Sequence, residues 1–164
     1  MESYTIGGNE FINSAPFGGA LGIGATLYRA PIDNDRNIKN EWNRLKLETE
    51  NMTLKKCTYG VGRNSIVINA EFVLATISVK NLASVIISYE IYADGKISVC
   101  VICNKSKKIK FAPRFGAVLE MPREYENVKY FGLGDKPNTP DYKEHAILGV
   151  YEMKVDDMRE RYIK

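Results

Sequence analysis

The stretch VIISYEIYADGKISVCV, residues 85–101, decides the fold because apolar side chains recur at every second position on both sides of an Asp-Gly pair. This spacing is typical of a strand that buries one face. Asp94 and Gly95 both tolerate a positive φ, and such a pair between two strand patterns predicts a hairpin turn. The stretch therefore predicts two antiparallel strands. The apolar residues of the predicted buried face are Val85, Ile87, Tyr89, Ile91, Ile97, Val99 and Val101.

The neighbouring sequence extends this pattern in both directions. Residues 66–74 alternate in the same way and predict a third strand of an antiparallel meander. Further strands are predicted at residues 114–121, 128–133 and 147–155. At 164 residues the chain is long enough to bury a core, and no repeat or linker divides its sequence. We therefore predict one all-β domain, an antiparallel β-sandwich.

Only two short helical pieces are predicted. The first begins at Asn34 or Asp35 as the N-cap, because short polar side chains accept hydrogen bonds from the free N–H groups of a first helical turn. Its apolar residues Ile38, Trp42 and Leu45 recur at helical spacing, so that together they face the sandwich. The second is a turn at residues 156–160.

Charge and composition argue against a nucleic-acid partner. The formal net charge is only +3, because acidic residues interleave with basic ones. The densest basic run is Lys105, Lys107, Lys108 and Lys110, where a hairpin connection is expected. A short run of this kind is more typical of a solvated loop than of a phosphate-binding patch. It also lacks the interleaved aromatic side chains that a stacking platform for single strands requires.

The cysteines are Cys57, Cys100 and Cys103, an odd number without metal-ligand spacing to a histidine. The last two form CVIC, and we interpret them as small strand residues rather than as a redox or zinc pair. Reduced thiols favour a cytoplasmic location. The N-terminus lacks the apolar segment of a secretory signal and no apolar run is long enough to span a bilayer, so neither secretion nor a membrane partner is expected.

Residue spacing alone identifies no catalytic centre. His145 is the only histidine, and no nucleophile motif accompanies it. Asp33, Asn34 and Asp35 offer the oxygen ligands of a hard cation, but the glycine and terminal glutamate of an EF-hand loop are missing. Glycoside hydrolysis needs two carboxyl groups across a sugar-sized cleft, and neighbouring residues in one turn do not predict such a cleft.

Several ordered motifs resemble one enzyme family. Residues 29–35, RAPIDND, followed by Trp42, resemble the RAP-x-DND…W signature of the C-terminal β-sandwich domain, or small-chain domain, of the large multidomain β-galactosidases. Residues 113–116 are similar to the PRxG strand of that domain, residues 128–134 to its WYGxGP strand and residues 148–151 to its LGxY element. The motifs follow one another in the order of the family, which makes the resemblance specific.

This resemblance implies a fold and a role. In the family the domain is a longer supersandwich, galactose-mutarotase-like in fold, and the chain resembles its N-terminal half, so the domain is expected to continue past Lys164. The implied role is that of a non-catalytic accessory domain that helps to shape the galactoside-binding site and the quaternary structure. The parent enzyme would hydrolyse terminal β-D-galactosides. Because the catalytic carboxyl groups of the family lie in a separate TIM-barrel domain, this chain alone is predicted to be inactive.

The resemblance also implies partners. These are the catalytic TIM-barrel domain or large subunit and, through the parent enzyme, the galactoside substrate. A homo-oligomer is expected as well, because half a supersandwich leaves apolar faces and strand edges that tend to self-associate. No cofactor is expected in this chain, whereas Mg and Na are implied for the catalytic domain of the parent enzyme. The alternative function is a stand-alone carbohydrate-binding or interaction module, which needs exposed Trp or Tyr side chains on one face.

Two segments are implied to lie near the galactoside. One is the turn at residues 33–37, and the other is the segment at residues 134–142, which resembles the GP-x-ENY-x-DR loop of the family. Tyr142 stands where the family has Arg, and a tyrosine cannot make the bidentate contact of a guanidinium with a carboxylate. The predicted substrate-proximal residues are Asp33, Asn34, Asp35, Arg36, Asn37, Asn138 and Asp141.

Overall fold

The structure of the chain is a computed structural model that describes residues 4–12, 23–136, 138 and 142–158. The chain divides into two compact units, Met1–Met121 and Pro122–Lys164. Every strand pairing is antiparallel, which confirms the predicted all-β fold. The elements are β1 (Tyr4–Ile6), β2 (Asn9–Ile12), β3 (Ile23–Thr26), α1 (Lys39–Leu45), β4 (Asn51–Val61), β5 (Ser65–Ala75), β6 (Ala83–Tyr92), β7 (Ile97–Lys105), β8 (Gly116–Leu119), β9 (Asn127–Leu133) and β10 (Leu148–Lys154).

A four-stranded meander, in the order β4-β5-β6-β7, forms the centre of the first unit. The predicted hairpin joins β6 to β7, and Gly95 has a φ of 86°, the left-handed conformation that the Asp-Gly pair predicts. Tyr89 lies opposite Val99, and Ile91 lies opposite Ile97. The alternating residues of the opening stretch therefore share one face of the sheet.

Strand β4 is an edge strand that the alternation does not predict. Its register shifts between Leu54 and Lys56, which places an irregularity within the strand. A bulge of this kind interrupts the period of two and turns the following side chains to the other face. The two adjacent lysines, Lys55 and Lys56, also make the segment resemble a loop in composition.

The core lies on one face of this sheet. Phe72 of β5 is opposite Val85 of β6, and both are almost completely buried. Helix α1 contributes Trp42 and Leu45 to the same cluster, which confirms that its apolar residues pack against the sheet. Burial of a large apolar side chain stabilises a fold by about 1.5–3 kcal/mol. The helix is therefore held mainly by its packed face.

Two further strand pairs complete the first unit. β1 pairs with β2, and β3 pairs with β8, with Ile23 opposite Leu119 and Thr26 opposite Gly116. Strand β8 is shorter than the predicted strand at residues 114–121. The segment before β8 runs beside the end of β3, where the N–H of Arg114 donates to the carbonyl of Leu27 at 3.3 Å.

The core face of the meander continues beyond the buried cluster as an exposed apolar patch. Tyr59 and Val61 of β4 are 78% and 74% exposed. Val61 lies opposite Ile66, and both Ile66 of β5 and Val99 of β7 are also exposed. One end of this face of the sheet is therefore buried in the core, and the other end is exposed to solvent.

The second unit contains the hairpin of β9 and β10. Tyr130 lies opposite Tyr151, and their rings stack with centroids 5.5 Å apart. The Tyr130 hydroxyl donates to the carbonyl of Gly134, a residue with a φ of 51° where the strand ends. The predicted turn after β10 is a short 3-10 helix, Val155–Met158, and the last two residues of the prediction lie outside the described residues.

Candidate functional site

The predicted substrate-proximal turn begins with a 3-10 helix, Asp33–Asp35, that follows Ile32. Helix α1 starts later, at Lys39, and its N-cap is Ile38 without a side-chain hydrogen bond. The prediction that Asn34 or Asp35 caps α1 is therefore wrong. The physical reason is that the carboxylate of Asp35 is already occupied by groups that precede it in the chain.

Asp35 is held by Arg29 in a two-pronged ion pair. Nη1 of Arg29 donates to Oδ2 of Asp35 at 2.5 Å, and Nη2 donates to Oδ1 at 3.1 Å. The backbone N–H of Ile32 donates to the same Oδ2 at 2.8 Å. Asp35 is 8% exposed, so the pair is partly removed from water. A bidentate guanidinium contact fixes orientation as well as distance, and it closes the turn.

The environment of Asp35 favours its charged form. Burial alone would raise the pKa of the Asp35 carboxyl, but the hydrogen bonds from Arg29 and Ile32 and the positive charge of Arg29 outweigh burial and lower the pKa below its ordinary value. The carboxylate is therefore ionised and fully engaged at neutral pH. Such a group serves as a structural anchor and is unsuited to proton transfer.

Arg29 also joins the turn to two distant parts of the first unit. Its Nε donates to the carbonyl of Pro113 at 3.1 Å, and its guanidinium carbon lies 5.6 Å from the centre of the Trp42 ring. Nε1 of Trp42 in turn donates to the carbonyl of Phe111 at 3.0 Å. The RAPIDND and PRFG motifs, far apart in sequence, thus meet around one guanidinium.

A second anchor lies where β3 ends. The carboxylate of Glu50 accepts from the hydroxyl of Thr26, from the N–H of Leu27 at 3.0 Å and from the N–H of Tyr28 at 3.3 Å. The two N–H groups have no partner on a neighbouring strand at that point, so the Glu50 carboxylate takes the place of the hydrogen bonds that a strand would supply. Glu50 therefore sets the direction in which the chain leaves β3 towards Arg29.

The remaining residues of the turn are presented outward. Asp33, Asn34, Arg36 and Asn37 are all exposed, whereas Asp35 is buried. Their carboxylate, amide and guanidinium groups offer both donors and acceptors of hydrogen bonds, the chemistry that recognises sugar hydroxyls. Because the turn is tied at Asp35, these groups are displayed from a fixed backbone.

Two predicted site residues belong to the second segment. Asn138 is exposed, and its Nδ2 donates to the carbonyl of Leu133 at 3.4 Å. Asp141 lies outside the described residues. Asn138 is in the second unit, whereas the turn at residues 33–37 is in the first.

The described part of the chain contains no cluster of metal-ligating side chains. No group of three or more His, Cys, Asp or Glu side chains there could hold a metal ion. Cys57, Cys100 and Cys103 are free thiols, and the last two lie three residues apart on strand β7, which turns them to opposite faces. His145 is exposed and packs its ring against Tyr142, with centroids 4.6 Å apart.

The anchors Arg29 and Glu50 are absent from the predicted site residues. Arg29 stands six residues before Asp35 in an irregular segment, where no periodicity relates the two. The only available signal was the presence of an arginine and an acidic residue in the same short motif. Glu50 carries no motif at all, and its role follows only from the geometry of the strand end.

The described part of the chain contains no helix with the length and apolar character to cross a membrane. Fold and site together define an all-β antiparallel chain in which a partly buried charge pair holds a polar turn in place. The chain belongs to the β-galactosidase small chain family, whose sequence model matches residues 1–164. The resemblance of the RAPIDND and PRFG motifs is thereby confirmed.

The chain is similar to parts of much longer proteins named β-galactosidases. The chain is 25% identical over 138 residues to the β-galactosidase of Actinobacillus pleuropneumoniae, covering 84% of this chain and 14% of that protein. It is 27% identical over 140 residues to that of Staphylococcus xylosus, covering 84% and 14%. It is 29% identical over 129 residues to that of Lactobacillus delbrueckii subsp. bulgaricus, covering 77% and 12%. The chain thus matches only a small part of each relative.

Proposed function

We propose that this chain is a non-catalytic accessory domain of a β-galactosidase, in which the turn at residues 33–37 helps to shape the galactoside-binding site. The catalytic carboxyl groups are supplied by a separate domain or large subunit of the parent enzyme. The observation that carries the proposal is the bidentate pair of Arg29 and Asp35, which fixes the turn while leaving its other polar groups exposed.

The geometry supports positioning rather than bond cleavage. A hydrolytic acid needs a raised pKa, whereas the pKa of Asp35 is lowered and both of its oxygens are occupied. Asp33 and Asn34 are exposed on the same short 3-10 helix and are suited to contact hydroxyl groups of a bound sugar. The turn can therefore contribute to substrate affinity without taking part in the chemical step.

The alternative of a stand-alone carbohydrate-binding module has less support. The chain has a single tryptophan, and Trp42 is 3% exposed with its indole N–H bound to the carbonyl of Phe111. Tyr89 is likewise buried in the core. Tyr130 and Tyr151 stack on one another, and their hydroxyls donate to backbone carbonyls. These four aromatic groups serve packing, and the exposed Tyr59 and Tyr142 belong to different units.

The test is made in the intact enzyme that carries this chain. Asn34→Ala and Asp33→Ala should each raise KM for a chromogenic galactoside several-fold, and Asn34→Ala should leave the melting temperature unchanged. Glu71→Gln, an exposed charge on the other face of β5, is the matched control and should change neither quantity. An unchanged KM in both turn variants would show that the turn does not contribute to the galactoside site.

The 164-residue chain alone should not hydrolyse the galactoside. We further propose that the uncovered apolar patch of Tyr59, Val61, Ile66 and Val99 packs against a second copy of the chain and so contributes to quaternary structure. Size-exclusion chromatography with light scattering should show a dimer or larger assembly of the isolated chain. Hydrolysis of the galactoside by the chain alone would contradict the expected lack of activity. A monomer at high protein concentration would contradict the expected self-association.

A further inference from the structure

A cleft lined by cations lies between helix α1 and the connection that follows β7. Its volume is about 560 Å³, and it is open to solvent. The lining residues come from one face of α1 and from the basic run of the connection. They are Asn40, Glu41, Arg44, Lys107, Lys108 and Lys110.

The basic side of the cleft is built on a well-anchored turn. Ile109, between the lysines, is 1% exposed and belongs to the core cluster. The N–H of Ile109 donates to the carbonyl of Ser106 at 3.1 Å, and the N–H of Ser106 donates to the carbonyl of Leu82 at 2.8 Å. Lys105 also ties the turn, because its Nζ donates to the carbonyl of Ile109 at 2.8 Å. The flanking lysines therefore start from a fixed backbone.

The charges in the cleft are unbalanced. Arg44, Lys107, Lys108 and Lys110 contribute four positive charges, and Glu41 contributes the only carboxylate of the lining. Among the described residues none of these four cations takes part in an ion pair. Like charges brought together on a fixed frame repel one another, and a cleft lined by one sign of charge concentrates counter-ions.

We propose that this cleft binds a small, multiply charged oxyanion of the phosphate type. Arg44 offers a planar fork of donors that matches two oxygens of such an anion, and the lysines supply mobile point charges around the others. The site is distinct from the galactoside function, because a galactoside carries no charge. The sequence of the lysine run alone favours a solvated loop. The structure places Arg44 of α1 opposite the lysines, and together they line a cleft.

Isothermal titration calorimetry of the 164-residue chain at low ionic strength tests the proposal, with inorganic phosphate and pyrophosphate as the probes. Both should bind saturably, pyrophosphate more tightly, and chloride at matched ionic strength should not. The double variant Lys107→Gln/Lys108→Gln and the single variant Arg44→Gln should each weaken pyrophosphate by about tenfold or more, as expected when charge-assisted contacts are lost.

Lys55→Gln/Lys56→Gln is the matched control. It removes the same charge from exposed positions of β4 and should leave binding unchanged. Circular dichroism establishes that each variant is folded, and amide shifts in the cleft during NMR titration locate the anion. The proposal is overturned if neither probe binds, if the control loses as much affinity as the cleft variants, or if only a polymeric anion such as heparin binds.

Discussion

The guanidinium of Arg29 lies against the ring of Trp42, 5.6 Å from its centre, while its nitrogens hold Asp35 and the carbonyl of Pro113. One side chain thus connects the turn, the helix and the irregular segment that leads into β8. The ring and the guanidinium shield each other from water, which strengthens the ion pair. We expect the stability of the first unit to depend strongly on this one arginine.

Arg29→Gln should lower the free energy of unfolding by about 2 kcal/mol, because it leaves the Asp35 carboxylate buried without a cation. Arg29→Lys should recover little of this loss, since an ammonium cannot contact both carboxylate oxygens in the same plane. Asn34→Ala, an exposed neighbour in the turn, should change stability little. Urea denaturation measures all three, and an unchanged midpoint in Arg29→Gln would refute the anchoring role.

Acid should weaken the fold through Asp35. The pKa of its carboxyl is lower in the folded chain than its ordinary value of 3.8, so the stabilisation is complete above that value and is lost as the pH falls through the lowered one. Asp35→Asn should therefore reduce stability at neutral pH and flatten the pH dependence below about pH 4. Melting temperatures of the unsubstituted chain and of Asp35→Asn, measured across the acid range, test this prediction. Melting temperatures that fall equally with pH in the two proteins would contradict it.

Glu50→Ala should destabilise the end of β3. The substitution leaves the buried N–H of Leu27 without its acceptor, at a cost of about 1–3 kcal/mol, whereas the N–H of Tyr28 keeps Oγ1 of Thr26 at 3.2 Å. Glu50→Gln keeps an acceptor oxygen and should lose less. Amide hydrogen exchange at Leu27 should accelerate more in Glu50→Ala than in Glu50→Gln, and exchange at Tyr28, whose N–H also donates to Thr26, should change less. Equal exchange in both variants would show that the carboxylate does not hold this segment.

The thiols should react with an alkylating reagent in a fixed order. Cys57 and Cys100 are exposed, whereas Cys103 is half-buried. Burial, together with the negative charge of Glu50, raises the pKa of the Cys103 thiol, which lowers its thiolate fraction at neutral pH. Cys103 should therefore be modified several-fold more slowly than the other two. Peptide mass spectrometry over a time course gives the order, and fast labelling of Cys103 would count against the described packing of β7.

Alkali should weaken the core through Tyr89. Burial, with a smaller contribution from Cys57, raises the pKa of Tyr89 from 10.0 to about 12. The resulting stabilisation is complete below the unfolded value and is lost as the pH rises towards the folded value. Tyr89→Phe should reduce the alkaline loss of stability, whereas Tyr59→Phe, at a position 78% exposed, should not. Identical alkaline unfolding of both variants would contradict this assignment.

Strands β5, β6 and β7 of the meander were predictable because they keep the alternation of apolar residues, and the Asp94-Gly95 turn confirms the predicted hairpin. Strand β4 was missed because its bulge between Leu54 and Lys56 breaks that alternation. Alternation of apolar residues predicts a regular strand, but it does not predict a strand in which a bulge shifts the alternation midway.

The site was predictable only as a motif. The exposure of Asn34 and the burial of Asp35 depend on Arg29 and on the carbonyl of Pro113, which is 84 residues from Arg29 in the chain. The capping propensity of aspartate predicted that Asp35 begins a helix. The bidentate contact with Arg29 is a stronger interaction than a cap hydrogen bond, and it occupies the same carboxylate. Tertiary contacts of this kind are not encoded in any short window of sequence.

The pairing of β3 with β8 also sets an order of events during folding. Ile23 lies opposite Leu119, so β3 leaves the ribosome long before its partner does. The hairpins of β4 to β7 close shorter loops and should form first. Arg29 and Trp42 then acquire their carbonyl acceptors, Pro113 and Phe111, only when the chain beyond β7 has arrived. A turn near the beginning of the sequence should thus be among the last parts of its unit to take its final shape.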